Sequence, residues 1–192
     1  MISCVNDWTY NDRPEDKMWS WILRGEDDAA DFAAAYERAL EVRRAQQREL
    51  GDVRSNLTQA FDELNQLGVL ARENFTCCGT CAAAEIHDER DDSRHWHGYL
   101  WYHQQDTESL VSSPDGSVYL GYGAYPPEDF DEAAYAALPE EQRQAGYQSD
   151  VERMLDELVF PVLRKYGMRV EWNRSQATRV LVTGARWYAP LA

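Results

Sequence analysis

The residues predict an α+β domain: an antiparallel or mixed sheet of about four strands, with helices packed on one face. Three observations predict it. Apolar residues recur at three- and four-residue intervals over 27–50, 56–67 and 150–163. Period-two alternation marks 98–107 and 118–125, and two further extended runs, 168–172 and 178–187, close the chain. The resulting order is helices, strand, strand, helix, strand, strand, with no internal repeat.

Residues 1–26 are irregular and rich in tryptophan (Trp8, Trp19, Trp21), with Pro14 among them; they are expected to pack as a cover on the main domain. Ala29, Phe32, Ala33, Tyr36, Ala39 and Leu40 form the stripe of the first helix. Asp27, Asp28 and Asp31 stand at its start, where carboxylates suit the positive end of the helix dipole. Arg38, Arg43, Arg44 and Arg48, interleaved with Glu37, Glu41 and Glu49, read as a solvated face. Gly51 interrupts, Ser55 or Asn56 caps a second helix with the stripe Leu57, Ala60, Phe61, Leu64 and Leu67, and Gly68 ends it as a left-handed residue. Residues 69–75 are a short extended or turn segment, and 82–88 a helix followed by a charged loop. Residues 98–107 give the clearest strand. In the strand at 118–125, Gly121 and Gly123 share a face and leave room for a large neighbour or a ligand. An acidic excursion over 126–146 holds helices near 128–137 and 139–145. A third strong helix opens at Asp150, is kinked by Pro161 and stops at Gly167. Two strands joined by a polar loop end the chain. The division expected is 1–51, an N-terminal segment and helix, and 52–192, the α+β domain.

The chain has 192 residues, 44% of them apolar, with 19 basic and 34 acidic side chains for a net charge of −15. Length and apolar content suffice for a core without staples. The charge repels a phosphate backbone and argues against nucleic acid as a partner. No apolar window of about 18 residues exists, so no membrane span is expected, and the N-terminus lacks the basic and apolar regions of a signal peptide. A soluble cytoplasmic protein follows as the expectation, with its cysteines reduced.

Reactive atoms concentrate in Cys77-Cys78-Gly79-Thr80-Cys81. Three readings compete. In the first the thiols are structural, and because Cys77 and Cys78 cannot face the same way, at least one is core. In the second, Cys78 and Cys81 are a CxxC redox pair placed before a helix, where unpaired N–H groups lower a thiol pKa. The polar 69–74 segment and the absence of a proline loop at the expected place argue against a thioredoxin context. In the third, Cys78, Cys81, His95 and His97 supply the four ligands zinc wants. A cysteine nucleophile paired with His103 is the least supported, since His103 and Asp106 would lie on opposite faces of a strand. No cofactor is favoured, zinc being the alternative. His103, Gln104, Gln105 and Asp106 gather directional hydrogen-bonding groups at a strand end and form a candidate polar binding site.

The segments Asn74-Phe75-Thr76-Cys77-Cys78-Gly79-Thr80-Cys81, Glu85-Ile86, Gly98-Tyr99 and Tyr102-His103-Gln104-Gln105-Asp106-Thr107-Glu108 resemble an uncharacterised bacterial domain-of-unknown-function family, as do Val170-Glu171-Trp172, Arg179-Val180-Leu181-Val182 and Trp187. The resemblance covers roughly 52–188. Ala82 stands where a glycine is more usual, and His95 and His97 match no motif of that family. The resemblance implies an architecture and a candidate site. The function expected is a non-catalytic module binding a protein or a small polar molecule near the CCxxC and HQQDT segments. The alternative is a thiol–disulfide redox or zinc-binding protein using Cys78 and Cys81. Whether the chain is an enzyme, and its oligomeric state, are left open by the residues.

Overall fold

Side-chain periodicity and two parallel strands organise the molecule. The computed structural model describes residues 29–51 and 54–188, so Cys4, Trp8, Trp19 and Trp21 lie outside the described residues. The chain divides into two units, Met1–Ser55 with Trp187–Ala192, and Asn56–Arg186.

In the first unit, helix α1 (Ala29–Leu50) buries Leu40 and also Arg43. The Arg43 guanidinium lies 4.0 Å from the centre of the Tyr188 ring. Arg38, Arg44 and Arg48 are exposed as expected of a solvated face, whereas Arg43 is not. A planar, weakly hydrated guanidinium can stack on an aromatic ring where an ammonium would keep its water.

The second unit opens with α2 (Asn56–Gln66), which buries Leu57, Ala60, Phe61 and Leu64. Leu67, expected on that stripe, is exposed. The helix has already ended before it, and Gly68 turns the chain with φ +83°. Next come β1 (Val69–Arg72), α3 (Gly79–Glu85) with a 3-10 turn (Ile86–Glu89), and β2 (Gly98–Trp101). Helix α4 (Gln104–Ser112) leads to β3 (Val118–Ala124), then α5 (Glu132–Ala136), α6 (Glu140–Met154), a π-helical turn (Leu155–Val159) and α7 (Phe160–Lys165). The strands β4 (Arg169–Glu171) and β5 (Val180–Thr183) form an antiparallel hairpin. Pro161 stands in the first turn of α7. The residue without an N–H is accommodated by the π-helical turn just upstream of it, through which α6 runs without a break into α7.

The sheet has five strands in the order β1-β2-β3-β5-β4. The expectation of about four omitted β1, whose four residues carry no alternation long enough to register. β1 and β2 run parallel, with Val69 opposite Gly98 and Arg72 opposite Trp101; the other pairs are antiparallel. Thus β1-α3-β2 is a βαβ unit.

Alternating strand residues build two apolar layers. Val69, Leu100, Leu120, Val180 and Val182 are buried together with α2, α6 and α7. On the opposite face Leu70, Trp101 and Tyr125 cluster with Ala82 and Ile86 from α3 and its 3-10 turn. The space predicted at Gly121 and Gly123 is filled by protein: a Cβ on Gly121 would run into the Trp101 ring, and one on Gly123 into the Tyr99 ring. Among the described residues no helix is long and apolar enough to cross a membrane.

The strand expected over 98–107 stops at Trp101. Tyr102 and His103 leave the sheet, and Gln104 begins α4, so the HQQDT segment is a helix start and not a polar strand end.

Candidate functional site

Parallel pairing sends β1 and β2 out of the sheet side by side, and their continuations stay joined. Phe75 N–H donates to Tyr102 O at 2.8 Å, and Gln104 N–H donates to Thr76 O at 3.1 Å. The Thr107 hydroxyl donates to Asn74 Oδ1 at 2.8 Å. These bonds hold a strained loop. Asn74 and Thr76 both have left-handed backbones, with φ 53° and 55°. A β-branched residue such as Thr76 rarely adopts that region, and such outliers persist only where the surroundings enforce them.

The loop delivers Cys77, Cys78 and Cys81 to the start of α3. Cys78 is its N-cap residue. Cys77 is exposed, and Cys78 and Cys81 are half-buried. The expectation that at least one of Cys77 and Cys78 is core therefore fails: the loop lies at the edge of the sheet, where neither side chain reaches the interior. Cys77 Sγ and Cys78 Sγ lie 3.6 and 3.7 Å from Cys81 Sγ, and all three sulfurs lie within 4.8 Å of one another, a group that could hold a metal ion. The environment separates their acidities. The Cys81 N–H, the Cys81 and Cys77 thiols and the Thr80 N–H favour a Cys78 thiolate and hold its pKa below the ordinary value. Cys81 is pushed the other way, to about 11, by its contacts with the Cys77 and Cys78 sulfurs and their charge.

His103 packs against this loop. A Cβ built on Gly79 would lie 3.5 Å from His103 Cδ2, 3.6 Å from Nε2 and 3.7 Å from Trp101 Cη2, so the residue between the two halves of the CxxC rests on the imidazole and the indole. His103 is the N-cap of α4 in a reciprocal capping box. Its Nδ1 accepts from Asp106 N–H at 3.2 Å, while Asp106 Oδ2 accepts from His103 N–H at 3.2 Å. His103 and Asp106 face apart only on a strand; at a helix start, residues three apart meet. Asp106 also receives two bonds from Arg179, at 2.7 and 3.0 Å. Burial lowers the His103 pKa, outweighing the attraction of Asp106. The lowered pKa favours the neutral ring, and since Nδ1 accepts, the proton of that ring sits on Nε2. His103 and Asp106 are buried, Gln104 is half-buried and Gln105 is exposed.

His95 and His97 are elsewhere. His97 N–H donates to Gly68 O, which places these residues at the beginning of β2, whereas the cysteines follow the end of β1. In a parallel pair those are opposite ends, separated by ~10 Å of strand and more beyond it. The set Cys78, Cys81, His95 and His97 is therefore not brought together as ligands. The two imidazoles, with ring centres 5.0 Å apart, instead line a cavity of about 380 Å³ with Glu128, Asp150 and Arg153. His97 has its pKa lowered by burial and by the charges of His95 and Arg153.

Sequence reasoning missed Trp101 and Arg179 as site residues. Arg179 lies far along the chain, and only the sheet order brings it to Asp106. The signal for Trp101 was Gly121, the small residue opposite it in register.

The chain belongs to the family described as Domain of unknown function (DUF6891), whose model matches residues 12–190. The match takes in α1 as well as the region over which the motifs resemble that family. No curated protein matches the chain, and no solved structure does.

Proposed function

We propose that this protein performs thiol–disulfide exchange at Cys78 and Cys81. One observation carries the reading: two half-buried thiols 3.7 Å apart open the helix of a βαβ unit, joined by the loop 73–78 to the buried strand β1. That context, judged absent from the residues alone, is the one in which a CxxC reads as a redox pair. In the reaction a Cys78 thiolate attacks a disulfide of the partner and expels one partner thiolate. Cys81 then gives up its proton to solvent and attacks Cys78 Sγ, the second partner thiolate leaves, and the Cys78–Cys81 disulfide remains. Cys77 and then Cys78 raise Cys81, and the Cys78 part of that influence is lifted once Cys78 is bonded and no longer charged.

A module binding a polar ligand through the HQQDT segment is less well supported. His103 and Asp106 satisfy one another and Arg179, which leaves Gln104 and Gln105 as the groups open to a ligand. Zinc held by cysteines and histidines together lacks an assembled ligand set.

The test is to mix reduced protein with a small disulfide and follow intact mass, locating the adduct by peptide mapping. Cys81→Ser is expected to accumulate a mixed disulfide on Cys78, while the wild type passes through it to an internal Cys78–Cys81 bond. Cys78→Ser should react at least about tenfold more slowly. A wild-type protein that keeps the adduct, or a Cys78 inert under native conditions, would falsify the proposal.

A further inference from the structure

Exchange between Cys78 and Cys81 leaves Cys77 without a task, although its sulfur is as close to Cys81 as that of Cys78 is. We infer that Cys77, Cys78 and Cys81 together form a three-thiolate binding site for a soft, closed-shell cation of the copper(I) type, a property that goes beyond the exchange reaction and does not depend on it.

The geometry suits such an ion. Three sulfurs around one metal at bonds of about 2.3 Å stand about 3.8 Å apart in a tetrahedron and about 4.0 Å apart in a plane. Two separations, 3.6 and 3.7 Å, fall short by a few tenths of an ångström, and the third lies within 4.8 Å; rotation of the exposed Cys77 side chain adjusts it. The donor set selects the class of metal. Thiolates prefer soft ions. Among the described residues no further Cys, His, Asp or Glu joins the group, so the site offers three donors. A structural zinc site requires four, whereas copper(I) is content with three thiolates in a plane. His103 stays outside the set: its Nδ1 accepts from the Asp106 N–H, and its Nε2 lies 3.2 Å from Asp106 Oδ2. The loop is also held before any ion arrives, by the bonds from Phe75 and Gln104 to their partners across the gap. Binding moves no electron: the ion displaces the protons of up to three thiols, which pass to buffer, leaving a tris-thiolate complex.

The experiment uses the reduced full chain without oxygen, titrated with copper(I) against the chromophoric chelator bicinchoninate, and in parallel with zinc(II). The expected result is one copper(I) per chain taken from the chelator, with three sulfur neighbours and no nitrogen by X-ray absorption. Cys77→Ser should weaken copper binding at least tenfold, leave the circular dichroism unchanged, and still form the Cys78–Cys81 disulfide. No copper taken from the chelator, equal affinity in Cys77→Ser, or a preference for zinc with a nitrogen neighbour overturns the site. Copper binding without disulfide formation tells against the exchange reaction alone, and disulfide formation without copper binding tells against the metal site alone.

Discussion

His103 shows how one side chain can serve helix and site together. It caps α4, carries Gly79 of the CxxC on its ring, and is neutral because burial dominates its environment. Its folded pKa lies below the 6.5 of a free imidazole. Above about pH 6.5 both folded and unfolded forms are neutral, and the group makes no pH-dependent contribution. Below it the unfolded chain takes up a proton that the folded chain refuses, so stability falls as the pH drops toward the folded pKa. His103→Asn keeps a capping acceptor while removing the titration. Urea unfolding at about pH 7 and about pH 5.5 should therefore show a smaller loss in this variant than in the wild type, the remainder including His97, which burial also lowers. An unchanged loss would mean that His103 is not held neutral by the fold. The residue type was legible in the sequence as a candidate; its partner was not, because His103 and Asp106 meet only if a helix begins between them.

Among the elements, the long ones were readable and the short ones around the site were not. The α2 stripe follows from periodicity over many residues, and the short β4-β5 hairpin from two extended runs flanking a polar loop. β1 has only four residues, three of them buried, ends in Arg72 and is followed by Glu73 and Asn74, so nothing local distinguishes it from a turn. The alternation of 98–107 implies a longer β2 than forms, because it continues past the point where capping takes over. The redox context is illegible in the residues for the same reason, since it depends on β1. Strand β3 contributes to the site through what it lacks: Gly121 lets Trp101 lie flat and reach Gly79. Gly121→Ala is expected to overpack this layer and cost about 1–3 kcal/mol in urea unfolding. Because Trp101 supports the cysteine loop, the variant should also alkylate Cys78 at a changed rate under native conditions. A variant as stable as the wild type, with the same alkylation rate, would sever the link between β3 and the thiols.

For the whole molecule, the dominant quantity is the net charge of −15. A field of that sign concentrates cations near the surface and repels anions. If exchange occurs at Cys78, a cationic disulfide such as cystamine should react about tenfold faster than an anionic one such as glutathione disulfide at low salt, and the ratio should contract as added salt shortens the Debye length. Stopped-flow rates across ionic strength measure this, and a ratio independent of salt would show that the thiols do not feel the global charge. The parallel pairing of β1 and β2 carries a further consequence, for the order in which the molecule assembles. Parallel neighbours cannot close through a tight turn, so the chain must complete the excursion through α3 before Phe75 finds Tyr102. The three thiols arrive on a loop whose contorted backbone is enforced only once that closure has happened. During refolding the cysteines thus behave as a clock: pulsed alkylation would read the moment at which the two strand ends dock, and the site would be among the later parts of the sheet to mature.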